Sequence, residues 1–263
     1  MAQPELGGPR LEFLESDGGP TKQIVQPQHG VQQEETLMIT DDEIRQGMMS
    51  YYSERAHEYD EIYLGKGHAT IDPDAYKRDV AQVSEMVSGF GKGHLIDIAC
   101  GTGFWLPSYA RNCNQITFLD QSDRMLSKCR DRAQELGVTA SFIQGDFFDA
   151  ALETLKYDCA LVGFLLSHLT VEQEQVFFGK LKEILKTNSQ LMFIDSVWNK
   201  RREQFREKEG IQERILNDGR TFRIYKRYFE GSDVERMFEA YGFEVKSHYV
   251  GEAFIAAIAE SCW

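Results

Sequence analysis

Several things are missing from this chain, and each absence excludes a class of function. No run approaches the ~18 consecutive apolar residues needed to cross a bilayer, and the first residues show no basic stretch followed by an apolar one. Neither a membrane segment nor a secretory leader is therefore expected. The five cysteines, Cys100, Cys113, Cys129, Cys159 and Cys262, are odd in number and scattered, with no CxxC pair and no histidine at ligand spacing. They predict reduced thiols and no metal site. Positive charge is in deficit, 29 Lys and Arg against 42 Asp and Glu, for a net charge of −13. Such a surface is poorly suited to follow a phosphate backbone, so nucleic acid is not expected as a partner. What is left is a cytoplasmic globular protein, monomer or homodimer, acting on a small molecule.

The 263 residues suffice for a large core without disulfide staples. Residues 1–39 are rich in Gly, Pro and Gln and poor in aromatic residues, a composition that buries too little apolar surface to offset its ordering entropy, and they read as a flexible tail. Thr40-Asp41-Asp42-Glu43 resembles a helix start. From Ile44 through Met48, Tyr51, Tyr52, Tyr59 and Tyr63, apolar and aromatic groups then recur at helical spacing. With a second helix over Asp74 to Phe90, residues 40–93 form an expected helical lid. Residues 94–263 form the core, in which strands and helices alternate: strands begin at Leu95, Ile116, Ala140, Tyr157 and Gln190, with helices over Phe104–Arg111, Ser122–Leu136 and Val171–Lys186. That alternation predicts an α/β fold, a Rossmann-like, mostly parallel sheet covered on both faces. Trp198 to Gly219 reads as polar and helical, and Thr221 to Phe229 as a strand. Helix Ser232–Tyr241 is followed by strands Phe243–Val250 and Ala253–Ala259, close enough in sequence to be an antiparallel hairpin.

The stretch His94 to Trp105 organises the rest. An apolar strand stops at Gly101 and Gly103 and a helix follows, so the backbone can pass close to a ligand while free N–H groups point at it. A nicotinamide dinucleotide and S-adenosylmethionine are both open readings. The third glycine of the dinucleotide fingerprint is replaced by Leu106, which weakens the first. Asp97, a carboxylate just before the glycines, suits the ammonium of a methionine moiety better than a pyrophosphate. Asp120, at the end of the next strand, is placed for ribose hydroxyls, and Asp146, followed by Phe147, for an adenine amine and ring.

These motifs resemble the class I S-adenosylmethionine-dependent methyltransferases: Asp97 to Gly103 (DIACGTG), Phe118-Leu119-Asp120 followed by Met125-Leu126, Gly145-Asp146-Phe147, and the closing hairpin. Further segments, among them Tyr51-Tyr52 with Arg55-Ala56, Cys100 to Trp105, Gly163 to His168 and Asn217 to Ile224 with Lys226, resemble a bacterial small-molecule group. That group includes the dehydrophos-pathway phosphonate O-methyltransferase. The resemblance implies S-adenosyl-L-methionine as cofactor, held by Asp97, Gly101, Gly103, Asp120, Gln121, Met125, Asp146, Phe147 and Phe164, with Tyr51 and Arg55 closing over it. It implies a small, anionic acceptor methylated at oxygen by in-line displacement. Other chemistry on the same cofactor, a cyclase or lyase reaction releasing methylthioadenosine, and a non-catalytic cofactor-binding partner protein are the alternatives.

Two features bear on the acceptor. His168 follows the fourth strand at the carboxyl edge of the sheet, where it could act as base or bond a carbonyl or cap the next helix, and Tyr52 is the other candidate catalytic residue. Between Lys200 and Arg227, ten cations face five carboxylates in a chain that is otherwise acidic. Arg220, Arg223 and Lys226 are the candidate substrate ligands there, since guanidinium forks bind phosphonate, phosphate or carboxylate bidentately. Lys200 to Arg214 reads equally as a solvated helix with its own charge pairs. Tyr51, Tyr52, Tyr59 and Tyr63 at helical spacing suit a packed core as well as a cage, and Cys100 reads as a small packing residue.

Overall fold

The structure is a computed structural model that describes residues 41–66 and 71–263. The tail expected over residues 1–39 and the cap expected at Thr40 lie outside the described residues.

Among the described residues, nine strands form two sheets. The larger contains β1 (His94–Ile98), β2 (Gln115–Asp120), β3 (Ala140–Gln144), β4 (Tyr157–Gly163), β5 (Leu185–Ser196), β8 (Phe243–Val250) and β9 (Phe254–Ser261), in the order β3-β2-β1-β4-β5-β9-β8. The first five run parallel, and β9 pairs antiparallel with both β5 and β8. Strand β1 is flanked by β2 on one side and β4 on the other. The chain reverses its direction of winding there, which opens a crevice beyond the carboxyl ends of these strands.

Local chemistry agrees with this topology. In α4 (Asp123–Glu135), the Ser122 side chain caps the helix by accepting from the Met125 N–H at 3.3 Å. Thr170 and Gln173 make a reciprocal capping box at the start of α5 (Val171–Ile184). Asp72 accepts from Asp74 N–H at 3.0 Å just before Pro73, which opens α2 (Pro73–Ser88). A short α3 (Leu106–Tyr109) follows the glycine turn, and α7 (Gly231–Ala240) covers the far end of the sheet. Because alternate residues of a strand face opposite sides, Ile96 and Ile98 pack with Phe177, Leu181 and Phe193, whereas Leu95 packs with Val83, Leu126 and Met192.

The expected helix over Trp198 to Gly219 is corrected. Only α6 (Lys200–Glu203) is helical, and β6 (Glu209–Ile215) pairs antiparallel with β7 (Thr221–Arg227) in a separate two-stranded sheet. The pattern misleads because it is inverted: Ile211 and Ile215 are 40% and 43% exposed, while Gln212 and Arg214 are only 8% exposed. In β7, Ile224 and Lys226 are buried and Arg223 is exposed. Helix α1 (Asp41–Arg55) packs on this hairpin through Tyr51, Leu216 and Ile224, and a 3-10 turn, Tyr59–Leu64, follows it.

Candidate functional site

Beyond the carboxyl ends of β1, β2 and β4 lies a cavity of about 590 Å³. Its floor is the glycine turn. Gly101 adopts φ +55°, a conformation that favours glycine, and a Cβ added there would stand in van der Waals contact with the Tyr59 ring at 3.4 Å. Asp120 ends β2 and accepts from the N–H groups of Gly101 and Ser122, each at 2.9 Å. Burial nevertheless raises its carboxyl to about 6, against the backbone donors that favour its charged form. Gln121, Met125, Asp146, Phe147 and Phe164 also line the cavity. The Gln121 side-chain oxygen is buried without a hydrogen-bond partner among the described residues, an acceptor still waiting for a donor. The roof comes from α1, through Ile44, Arg45, Met48, Met49 and Tyr52.

Four expected cofactor residues stand elsewhere. Asp97 does not line this cavity: it is 2% exposed, on the strand face that carries Leu95, and accepts from the Tyr109 hydroxyl at 2.7 Å. Burial raises it to about 7, the Tyr109 bond opposing the shift and Asp120 adding to it. Gly103 adopts φ +69° and packs on α4, where a Cβ would stand 2.8 Å from the Cys129 sulfur. Its role is helix packing, for which only a glycine leaves space. Tyr51 and Arg55, expected over the cofactor, line a second cavity instead.

That second cavity, about 70 Å³, adjoins the first and shares Tyr52, Tyr59, Phe164 and His168 with it. Five cations line it: Arg55, Arg202, Arg206, Arg214 and Lys226. Lys226 projects from β7 to the carboxyl end of β5, where it pairs with Asp195 at 3.1 Å and donates to the Ser167 hydroxyl. Burial lowers its ammonium, while Asp195 opposes the shift. Arg214 comes from the inward face of β6 and donates to Gln212 Oε1 at 2.8 Å and to the Tyr228 hydroxyl at 3.2 Å. Arg202 donates to the Ala253 carbonyl at 3.1 Å and lies over the Tyr228 ring. Two of the candidate substrate ligands are displaced from this arrangement. Arg220 is exposed and paired with Glu54 and Asp218 at 2.9 and 2.8 Å, and Arg223 lies on the outer face of β7, so neither lines these two cavities. Arg202, Arg206 and Arg214 line the second cavity instead. They belong to the positive island of the sequence, and for Arg214 the inverted alternation of β6 hid that it faces inward.

On the shared wall, His168 sits in a 3-10 turn, Leu166–His168, and is 4% exposed. Its Nδ1 is 2.7 Å from the Tyr225 carbonyl oxygen, which can only accept, so Nδ1 carries the proton and Nε2 the lone pair. The Tyr52 hydroxyl, 2.6 Å away, donates to Nε2. Burial, and then the charge of Lys226, hold His168 well below its ordinary value, so the ring is neutral near neutral pH. Burial raises Tyr52 well above its own, so it stays a phenol. The structure thus brings together the two expected catalytic side chains, from α1 and from the end of β4.

Residues 95–188 match the family model described as a methyltransferase domain. An uncharacterized methyltransferase of Bacillus pumilus is 21% identical over 209 residues, covering 78% of this chain and 92% of the relative. A carboxy-S-adenosyl-L-methionine synthase of Wolinella succinogenes is 29% identical over 109 residues, 40% of this chain and 45% of that protein. Among solved structures, the DhpI–SAM–HEP complex superposes with a TM-score of 0.67 at 25% identity, covering 84% of this chain and 99% of that one. A 1,6-didemethyltoxoflavin N1-methyltransferase of Burkholderia thailandensis, crystallised with 1,6-didemethyltoxoflavin and S-adenosylhomocysteine, superposes at 0.59 with 12% identity, covering 84% of this chain and 90% of that one. The second likeness is one of fold.

Proposed function

We propose that the chain is a class I S-adenosylmethionine-dependent methyltransferase that methylates an oxygen of a small anionic metabolite. The observation that carries this reading is the second cavity: five cations converge on a space that meets the larger cavity at Tyr52, Tyr59, Phe164 and His168. In this reading the larger cavity takes the cofactor. Asp120 receives the ribose hydroxyls, Asp146 and Phe147 the adenine, and the Gln121 oxygen a further donor. Residues 40–93 act as a lid, α1 and the Tyr59 turn closing over both ligands.

When bound, S-adenosylmethionine supplies an electrophilic methyl group on a sulfonium. The protein's part is alignment and the exclusion of water. Arg214, Arg202 and Lys226 hold the acceptor's anionic group on one side of the wall, and Tyr52, Tyr59 and Phe164 fence the path between the cavities. Such alignment of two reactants can supply roughly 7–11 kcal/mol of a barrier. An ionised oxygen has no proton to lose, so the Tyr52–His168 pair serves as a fixed polar edge of that path. For an acceptor hydroxyl, the same pair offers a lone pair at Nε2 through Tyr52. DhpI, to which the chain is similar, is named in a complex with SAM and HEP.

The test is transfer of labelled methyl from the cofactor to a panel of small phosphonates, phosphate esters and carboxylates, with neutral alcohols and amines as contrast. Labelled anionic ester and stoichiometric S-adenosylhomocysteine are expected. Transfer confined to neutral acceptors would sink the anionic reading. The likeness to a carboxy-S-adenosyl-L-methionine synthase favours one rival, an altered cofactor as product, and mass analysis of the cofactor pool separates it from transfer.

A further inference from the structure

The turn between β8 and β9 is held by a carboxylate from another element. Asp79, on α2, is 2% exposed and lines neither cavity. Its Oδ2 accepts from the N–H groups of Ala253 and Phe254, at 2.7 and 2.9 Å, and its Oδ1 from the Tyr249 hydroxyl at 2.7 Å. Three donors converging on one buried group suit an ionised carboxylate, which only accepts. A Cβ on Gly251 would stand 2.2 Å from Asp79 Oδ2, so the carboxylate occupies space that a side chain at 251 would fill. The exposed Arg78 and Arg201 pair with Glu252 of the same turn, at 2.8 and 3.4 Å, whereas among the described residues no ion pair reaches Asp79 or Arg202.

One peptide group connects these two residues. The N–H of Phe254 faces Asp79, and the carbonyl oxygen of the same peptide, that of Ala253, accepts from Arg202 Nη2 and from the Val197 N–H, each at 3.1 Å. An anion thus stands at the hydrogen end of a peptide dipole and a cation at its oxygen end, the orientation in which each hydrogen bond strengthens the other. On its other side the Arg202 guanidinium lies over the Tyr228 ring, 4.6 Å from its centroid. Its Nε, buried on a side chain that lines the second cavity, has no hydrogen-bond partner among the described residues. A donor held in place and left unused is ready for a ligand. We infer that Asp79 is a positioning residue of the acceptor cavity: through the Ala253–Phe254 peptide it fixes the Arg202 guanidinium, and with it the free Nε–H, at the cavity wall. This rests on the methyl-transfer reading and is indifferent to which anion is methylated. An arginine fixed before the acceptor arrives spares the ordering cost that an unrestrained side chain would add on binding.

Two measurements test this, the first without any acceptor. NMR of the full chain carrying isotope-labelled arginine, with the Arg202 signals assigned by their loss in Arg202→Met, reads the rotation of the guanidinium. Hindered rotation, with separate Nη signals, is expected in the wild type and averaged signals in Asp79→Ala. The same Arg202 spectrum in both overturns the inference. In the second, the chain loaded with S-adenosylhomocysteine is titrated calorimetrically with methylphosphonate. Asp79→Ala is expected to weaken methylphosphonate binding about tenfold while S-adenosylhomocysteine affinity changes less than about twofold. In the Arg202→Met background the same substitution should alter methylphosphonate affinity less than about twofold, because its route to the ligand is gone. Equal losses in both backgrounds overturn the inference and make Asp79 a support of the fold alone. Should Asp79→Ala not fold, Asp79→Asn, which keeps an oxygen for the two N–H groups and removes the charge from the far end of the peptide, goes through the same cycle. A loss of about threefold confined to the background that retains Arg202 is then expected, and no loss there overturns the inference. If methylphosphonate does not bind the wild-type chain while S-adenosylhomocysteine does, the anionic reading of the cavity has failed, and the Arg202 spectrum alone decides the inference.

Discussion

The Tyr52 hydroxyl stands 2.6 Å from His168 Nε2, on the wall shared by the two cavities. One residue comes from α1 and the other from the turn after the carboxyl end of a core strand, so the pair forms only when α1 lies across the sheet edge. With His168 Nδ1 fixed on the Tyr225 carbonyl, the basic nitrogen reaches an acceptor only through the phenol.

The size of the loss on removing this pair reports the acceptor's ionisation. Tyr52→Phe and His168→Asn are expected to slow single-turnover methyl transfer about tenfold if the acceptor oxygen is already ionised, the loss of one positioning hydrogen bond. A loss of about 10²–10⁴-fold would mark a proton that must be removed. S-adenosylhomocysteine affinity, followed by calorimetry, should change much less than the rate. Wild-type rates in both variants would remove the pair from the mechanism.

Asp97 should govern part of the stability profile. Its folded value of about 7 lies above that of an unfolded aspartate, so between the two the folded state holds a proton that the unfolded state has released. The stabilisation is fully present below about pH 4 and is lost as pH rises through about 7, at most about 4 kcal/mol. Asp97→Asn is expected to flatten that decline in urea unfolding measured across the range. Parallel curves for the two proteins would contradict it.

Lys226 and Asp195 form a buried pair that cannot lose one member cheaply. Lys226→Met strands the Asp195 carboxylate, 0% exposed, and should cost about 3–5 kcal/mol. Adding Asp195→Asn should recover part of the loss, a coupling that unfolding of the double variant would measure directly. Additive losses would show that the pair does not act as one.

Arg45 ties α1 to Asp146 and, at 3.1 Å, to Asp149. Being 45% exposed, the pair should contribute no more than about 1 kcal/mol to stability, and less in high salt. Its effect should fall on the roof of the larger cavity: Arg45→Met is expected to speed S-adenosylhomocysteine dissociation several-fold in stopped flow while barely moving the melting temperature. An unchanged off-rate would leave Arg45 a surface contact.

Gly103 should be intolerant for reasons of packing. Its φ of +69° and the Cys129 sulfur 2.8 Å from an added Cβ predict that Gly103→Ala destabilises by about 1–3 kcal/mol. Combining it with Cys129→Ala should relieve the clash and leave the strain of the positive φ, which a thermal melt of the double variant would separate.

Strand β1, the glycine turn and the alternation after it were legible because their signals are local. A parallel strand covered on both faces is a continuous apolar run, a positive φ asks for glycine, and Ser122 and Thr170 announce the helices they cap. Asp120, Met125, Asp146 and Phe147 follow from the same logic, since residues at strand ends or helix starts meet at the carboxyl edge of any such sheet. Asp97 and Gly103 share those motifs but face inward, and motif membership does not say which way a side chain points.

By itself, then, the sequence determined the sheet, the glycine turn, and the carboxylates at its edge, because periodicity and capping are written in neighbouring residues. The tertiary structure alone decided where the positive charge goes. In β6 the isoleucines face outward and Gln212 and Arg214 inward, a reversal that hydrophobic patterning reads as no strand at all. Only the packing of α1 and the β6–β7 hairpin on the core turns Arg214, Arg202 and Lys226 inward, leaves Arg220 and Arg223 outside, and sets Tyr52 against His168. Those placements depend on contacts between residues over a hundred positions apart, such as Tyr52 and His168, and no local pattern encodes them.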